Sequence, residues 1–445
     1  MTDIPQIPRI VTRIPGPSSE AILKRVKKWE CPQVTYVDSD FPVTWEEAHG
    51  CMIRDADDNW YLDLSGGFGV ANAGHNHPRV SAAVRKQMES LTHGMGDVHP
   101  SRIKADLLEV LSQILPEGLD ISLLSNSGSE AVESALKTAY RYSGKPGVIA
   151  MKQGYHGLTM GALSVTAWPF FRDAFKQKLY QGVFHVPFPE AQSDSSMVTN
   201  TLEMIDHLIR NADTPIGALI IEPVQGRGGC RIPHQDFLKG LKSLCMQHSV
   251  VLIFDEVYTG FGRTGKWFAC EHENIIPDLI CIGKGMGNGY PISACVGQYD
   301  IMAAWGESQG EAVHTSTFLG HPIGCAAALG TIKTLQEENL IEASRIQGKI
   351  FYDALLKLKS KYSLISDVRG RGLMLGVEFL QDNMPAPEKA IQMVKKCLKK
   401  GLILLAGGES ANVLCITPPL SITSQQILIA VDIMEQCLQE ICDYA

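Results

Sequence analysis

Along the chain, short and wholly apolar runs alternate with stretches whose apolar positions recur every three to four residues. The runs GVIAMK (147–152), GALIIEPV (217–224), VVLIFDEV (250–257), DLICIGKG (278–285) and SACVGQ (293–298) lack the strict alternation of a half-solvated strand, so they predict strands buried on both faces. Helical periodicity fills the intervals, as at 129–142 and 235–247. The alternation predicts an α/β fold, a three-layer sandwich with a mainly parallel sheet. The first 60 residues read as irregular and proline-punctuated, with one amphipathic stretch, SSEAILKRVKKWE, opened by the N-cap candidates Ser18 and Ser19. After Pro322 a long helical region leads to a second αβ set: GLMLGVEFL (372–380), the helix EKAIQMVKKCLKK and the strand NVLCITPPL (412–420). The division expected is an N-terminal arm (1–60) joining a small domain, a large domain (61–325), and the C-terminal small domain (326–445).

With 445 residues, 45% hydrophobic and 20% charged, the chain is long enough for a large core and a second domain. A net charge of -8 without a basic stripe argues against a nucleic-acid surface. The N-terminal residues carry no apolar leader core, and no run approaches the roughly 18 residues of a membrane span, so a soluble, cytoplasmic protein is expected. Twelve cysteines lie singly with no CxxC pair, which suggests neither a zinc site nor a disulfide framework; they read as small buried apolar residues.

Two of the buried runs end in opposite charges, Asp255 just past 250–254 and Lys284 just past 278–283. Each would stand at the carboxyl edge of the sheet, where open α/β folds bind ligands. Alone the two suggest an ordinary salt bridge. They are also what pyridoxal 5'-phosphate requires, an amine for its aldehyde and a carboxylate for its pyridine nitrogen.

The surrounding motifs decide between these. LLSNSGSEAVESALK sets an apolar run, a polar turn and a helix in sequence, placing Ser127, Gly128 and Ser129 at a helix N-terminus suited to a phosphate. A plain cap by Ser129 with Glu133 in support is the simpler alternative. GYHGLTMGALS offers Tyr155 and His156 in the loop after a strand, with a ring that could stack on a flat heterocycle. IIEPVQGRGG places Glu222 at a strand end before a loop carrying Arg227; the carboxylate could orient a substrate amine, or be satisfied by a backbone N–H or Arg263. Val257 could pack on a ring face, Tyr258 could reach a ring substituent, and Thr317 in HTSTFLGHP is a further phosphate candidate.

Together NSGSEAVESALK, GYHGLTMGA, IIEPVQGRGG, IFDEVYTGFGRTGKWFACEH, DLICIGKGMGNGYPISA, TSTFLGHPIGCAAAL, DVRGRGLMLGVE and ITPPL resemble the class III aminotransferases, pyridoxal phosphate enzymes of fold type I, and among them the 4-aminobutyrate and ω-aminotransferases. The resemblance runs from GPSSEAI near residue 16 to the C-terminus. It implies that Lys284 is the Schiff-base lysine, that Asp255 pairs with the pyridine nitrogen, and that Val257 and Tyr155 are the faces of a ring sandwich. Gly128 and Ser129 would hold the phosphate, helped by Thr317 from a second subunit, so a homodimer is implied.

Three positions depart from the family pattern. Leu158 stands where HGRT members carry an arginine, Cys415 replaces an arginine of the last strand, and Tyr258 replaces a glutamine near the ring oxygen. Two anion anchors are thereby missing. Arg227, Arg231 and the GHNHP loop around Gly74 and His75 are the remaining candidates to meet a carboxylate. The leading expectation is a transaminase passing an amino group from a primary amine or ω-amino acid to an oxo acid. An amino-acid racemase or epimerase of the same cofactor class is the alternative, ahead of a dialkylglycine-type decarboxylase or a cofactor-binding protein without turnover.

Overall fold

The computed structural model describes residues 4–442, so the outermost three residues of the arm and of the C-terminal part lie outside it. The chain divides into two compact units, Pro78–Glu342 and Met1–His77 with Ala343–Ala445. Among the described residues no helix is long and apolar enough to cross a membrane.

The unit Pro78–Glu342 is built on seven strands in the order Ile121–Ser125, Ser293–Gly297, Leu279–Ile282, Val251–Asp255, Ile216–Ile221, Gly147–Met151, Val183–Val186. The last five of these run parallel; Ser293–Gly297 is antiparallel to both of its neighbours. The predicted strands follow because their central residues are buried on both faces: Val251–Asp255, Ile216–Ile221 and Leu279–Ile282 have no exposed position. Helix Gly128–Ser143 covers the middle of the sheet, with Ala131, Val132 and Ala135 packed on Ala150, Ile220, Ile253 and Cys281. Helix Phe237–His248 ends at Ser249, whose φ of 53° turns the chain directly into the strand Val251–Asp255. The strands Ile121–Ser125 and Val183–Val186 carry partly exposed positions, and the edge strand Val183–Val186 is only four residues long and is interrupted by His185, so it does not show as a run.

The long helical region after Pro322 is two helices, Pro322–Glu337 and Leu340–Lys361, broken where Asn339 takes a φ of 53°. Pro322–Glu337 packs along Pro78–Ser90 with Ala327 against Val80 and Val84, and so belongs with the large sheet.

In the other unit, residues 45–63 form a meander instead of the irregular arm expected. Strands Trp45–His49, Met52–Asp55 and Trp60–Asp63 pair in turn, and Leu402–Ile403 adds to the last in parallel. Polar residues buried within the turns hid this pattern. Asp55 accepts hydrogen bonds from Asn59 N and Tyr61 Oη, so it is a core residue despite its charge. A second sheet orders Ile365–Arg371, Met374–Gln381, Val413–Ile416 and Leu405–Gly407, and a C-terminal helix, Ser424–Cys442, closes the chain. Cys31 and Cys442 are exposed and Cys415 half-buried, which corrects the expectation of uniformly buried cysteines.

Candidate active site

Parallel strands deliver their carboxyl ends to one edge of the large sheet. In register, Asp255 pairs with Cys281, so Lys284 emerges just beyond the end of the neighbouring strand. Strand Ile216–Ile221 delivers Glu222 to the same edge, and strand Gly147–Met151 leads into the loop of Tyr155 and His156. Ile121–Ser125 points the same way, since two antiparallel steps separate it from Leu279–Ile282, and the chain there turns into helix Gly128–Ser143.

That helix has the predicted start but a different cap. Ser127 Oγ accepts from Glu130 N at 3.3 Å, and Glu130 Oε2 accepts from Ser127 N at 3.0 Å and Asn126 N at 2.7 Å. Glu133 caps a different segment, accepting from Thr159 Oγ1 and Gly161 N. With the first turn satisfied in this way, the N–H groups of Gly128 and Ser129 have no acceptor among the described residues, and they head a helix of 16 residues. A Cβ on Gly128 would lie 2.8 Å from Val257 Cγ1, so only glycine lets the turn meet Val257 this closely. Ser129 Oγ in turn accepts from Leu158 N at 3.1 Å, and Gly157, with a φ of +123°, would strike that hydroxyl if it had a side chain.

Asp255 is 5% exposed and is held from two sides: Oδ2 accepts from His156 Nδ1 at 2.8 Å, and Oδ1 from Val257 N at 3.1 Å. Burial disfavours the imidazolium of His156, but the Asp255 hydrogen bond and charge outweigh it and raise its proton affinity. His156 Nε2 is buried with no partner among the described residues.

Lys284 is not paired with Asp255. Among the described residues it has no ion-pair partner, and its Nζ sits 3.6 Å from the centroid of the Tyr258 ring. Its backbone φ of 39° lies in the left-handed region, a strained setting for a residue with a side chain. Burial brings its ammonium down to about 8, only partly opposed by the charges of Asp255 and Glu222. The simple salt-bridge reading of the two strand ends therefore does not describe the structure.

Glu222 serves as a clip. Its Oε1 accepts from Tyr155 N and its Oε2 from Gly226 N, each at 2.9 Å, so one carboxyl ties the tyrosine loop to the Arg227 loop. Of the two sequence alternatives for Glu222 this is the backbone-satisfied one. Burial pushes it up to about 7. Thr317 lies in an exposed loop, and Arg231 is engaged by Glu190 and by Gly228 O. In the other unit His75 is held by Asp63 at 2.7 Å, and Cys415 lies on the strand Val413–Ile416.

The donor set fits pyridoxal phosphate. Two unused helix N–H groups suit its phosphate, and Asp255, fixed by His156, suits a protonated ring nitrogen. An unpaired amine of lowered proton affinity suits its aldehyde. Sequence reasoning missed Trp168 and Phe171, whose rings gather beside Tyr155. The aromatic cluster in TAWPFF was the one available signal.

The family model described as aminotransferase class-III matches residues 35–438. A 4-aminobutyrate aminotransferase of Mycobacterium leprae is 35% identical over 456 residues, covering 98% of this chain and 99% of that protein. An alanine/serine racemase of Pyrococcus horikoshii is 32% identical over 450 residues, covering 98% of this chain and 93% of that protein. Among solved structures, an amine transaminase from an uncultivated Pseudomonas species in its pyridoxal-phosphate-bound form superposes with a TM-score of 0.86 at 28% identity, covering 93% of this chain and 98% of that one.

Proposed function

The chain belongs to the class III aminotransferases, enzymes that use pyridoxal 5'-phosphate, and from that premise we propose that it transfers the amino group of an ω-amino acid to an oxo acid, with Lys284 as the amine that holds the cofactor. The observation carrying this reading is Lys284 itself, an amine lowered to about 8, without an ion-pair partner, beside a carboxylate already clamped by His156.

Gly128 N and Ser129 N would hold the phosphate with the helix dipole behind them. Val257 and Tyr155 would cover the two ring faces, and Asp255 would keep the ring nitrogen protonated. Tyr258 would reach the ring oxygen through its hydroxyl. When bound, the cofactor supplies an aldehyde for the incoming amine and a ring that takes up electrons as a C–H bond breaks. Lys284 Nζ, whose burial lowers its proton affinity, would serve as the base that takes that proton and the acid that returns it to the adjacent carbon. The Asp255–His156 hydrogen bond fixes the carboxylate during this transfer, and His156 stabilises its charge. Glu222 acts on position alone, holding both loops.

We also assign the homodimer as the working form, with Thr317 of one copy completing the phosphate site of the other. The exposure of residues 315–318 supports this, and a monomer in sedimentation at catalytic concentration would contradict it.

The ω-amino acid reading is supported by the 4-aminobutyrate aminotransferase relative. A racemase reading gains support from the alanine/serine racemase relative together with Leu158 and Cys415. The test is incubation with 4-aminobutyrate, 5-aminovalerate and L-alanine, with and without 2-oxoglutarate or pyruvate. Net amino transfer from the ω-amino acids is expected; loss of alanine chirality with no amino transfer rejects the proposal.

A further inference from the structure

Arg227 is an exposed cation with no hydrogen-bond or ion-pair partner among the described residues, yet its place is defined. Its guanidinium carbon lies 4.8 Å from the Phe171 ring centroid, 5.2 Å from Tyr155 and 5.7 Å from Trp168. The backbone beneath it is fixed as well. Gln225 and Arg231 exchange N–H···O bonds at the base of the loop, and Glu222 receives Gly226 N. The rings are fixed in their turn: Tyr155 N donates to the same Glu222, and Trp168 Nε1 donates to Gln153 O.

A guanidinium stacked on aromatic rings keeps its edge N–H groups free, and those groups match a carboxylate in a planar, two-pronged geometry. The nearby Arg231 is already spent on Glu190, and both Glu222 oxygens are taken by backbone N–H groups, so neither competes with a ligand at Arg227. The Arg227 charge is also felt at the reacting amine. Burial is the main cause of the low proton affinity of Lys284, and Arg227 adds to it; burial raises the Tyr155 phenol, and Arg227 opposes that rise.

We propose that the Arg227 guanidinium anchors the substrate carboxylate, and so determines the preference of this site for ω-amino acids over plain alkylamines. Its aromatic seat fixes the cation without neutralising it, in a chain that carries Leu158 and Cys415 where family members place arginines. The proposal rests on the aminotransferase reading above, and two measurements separate the failure of one from the failure of the other.

The first is the ratio of kcat/KM for 4-aminobutyrate to that for butylamine, with one common oxo acid. R227Q is expected to lower this ratio about 10- to 100-fold, the loss of charge-assisted hydrogen bonds, and R227K to recover part of it as a point charge. The second is calorimetric titration of the holoenzyme with pentanoate, which has the carboxylate and no amine. Wild type should bind it, and R227Q at least tenfold more weakly. A ratio unchanged within twofold, or equal pentanoate binding by the two proteins, overturns the role of Arg227 and leaves the transaminase intact. A wild type that transaminates no amine overturns the functional reading, while the pentanoate titration still decides Arg227.

Discussion

Two cations, the half-buried Lys284 in the large-sheet unit and the buried Arg369 in the other, are treated in opposite ways. Arg369 is 7% exposed and meets two carboxylates, Glu378 at 2.5 Å and Asp367 at 3.0 Å. Burial works against its charge, but these partners overcome it and raise its proton affinity. Lys284 has an aromatic face in place of a carboxylate, and its ammonium falls to about 8. The same unit that pairs Arg369 also ties Lys395 to Asp38 and Asp40, and Lys396 to Glu440. Lys284, by contrast, has no ion-pair partner among the described residues, at the place where proton transfer needs a neutral amine. Perturbed groups collected at one sheet edge are what a site of chemistry requires.

The largest expected effect comes from breaking the active side of this contrast. Asp255→Asn keeps the shape but removes the charge that holds His156 and would hold the ring nitrogen protonated. Transamination should fall by about 10²- to 10³-fold with the cofactor still bound, comparable to the loss of one preorganised electrostatic contact. Retention of most of the rate would remove Asp255 from the mechanism. The structural side breaks differently. Glu378→Ala takes one partner from buried Arg369 and should cost about 3 kcal/mol in urea unfolding, while the rate per folded molecule holds. A variant as stable as wild type would make the pairing incidental.

Stability against pH sharpens the contrast further. In the cofactor-free protein Lys284 falls from 10.5 to about 8 on folding, so between these values the unfolded chain binds more protons and stability rises with pH. The penalty is fully present below pH 8 and amounts to about 3 kcal/mol at most. Lys284→Met should therefore be the more stable protein at pH 7, with the gap closing toward pH 10.5. A gap of opposite sign would mean the amine is paired after all.

The sequence made the site legible wherever a buried run ends in a charge, because burial on both faces leaves an unmistakable apolar pattern. Asp255, Lys284 and Glu222 could be placed at one edge on that ground, and Ser127 to Ser129 at a helix start. The partners of those residues were not legible. That Glu130, not Glu133, completes the cap depends on where the helix begins, and periodicity blurs this by a turn. The Tyr155–Trp168–Phe171 cluster around Arg227 depends on loop conformations fixed by Glu222, which no local pattern encodes. The meander of residues 45–63 escaped for a related reason: the polar Asp55 and Asn59 break the apolar pattern, yet both are buried and mutually bonded.

The central question is which amine holds the cofactor. Borohydride reduction of the pyridoxal-phosphate-loaded protein, followed by proteolysis and mass spectrometry, should find the reduced pyridoxyl phosphate adduct on the peptide containing Lys284 and on no other. An adduct on a different lysine, or none in a protein saturated with cofactor, would contradict the assignment of Lys284.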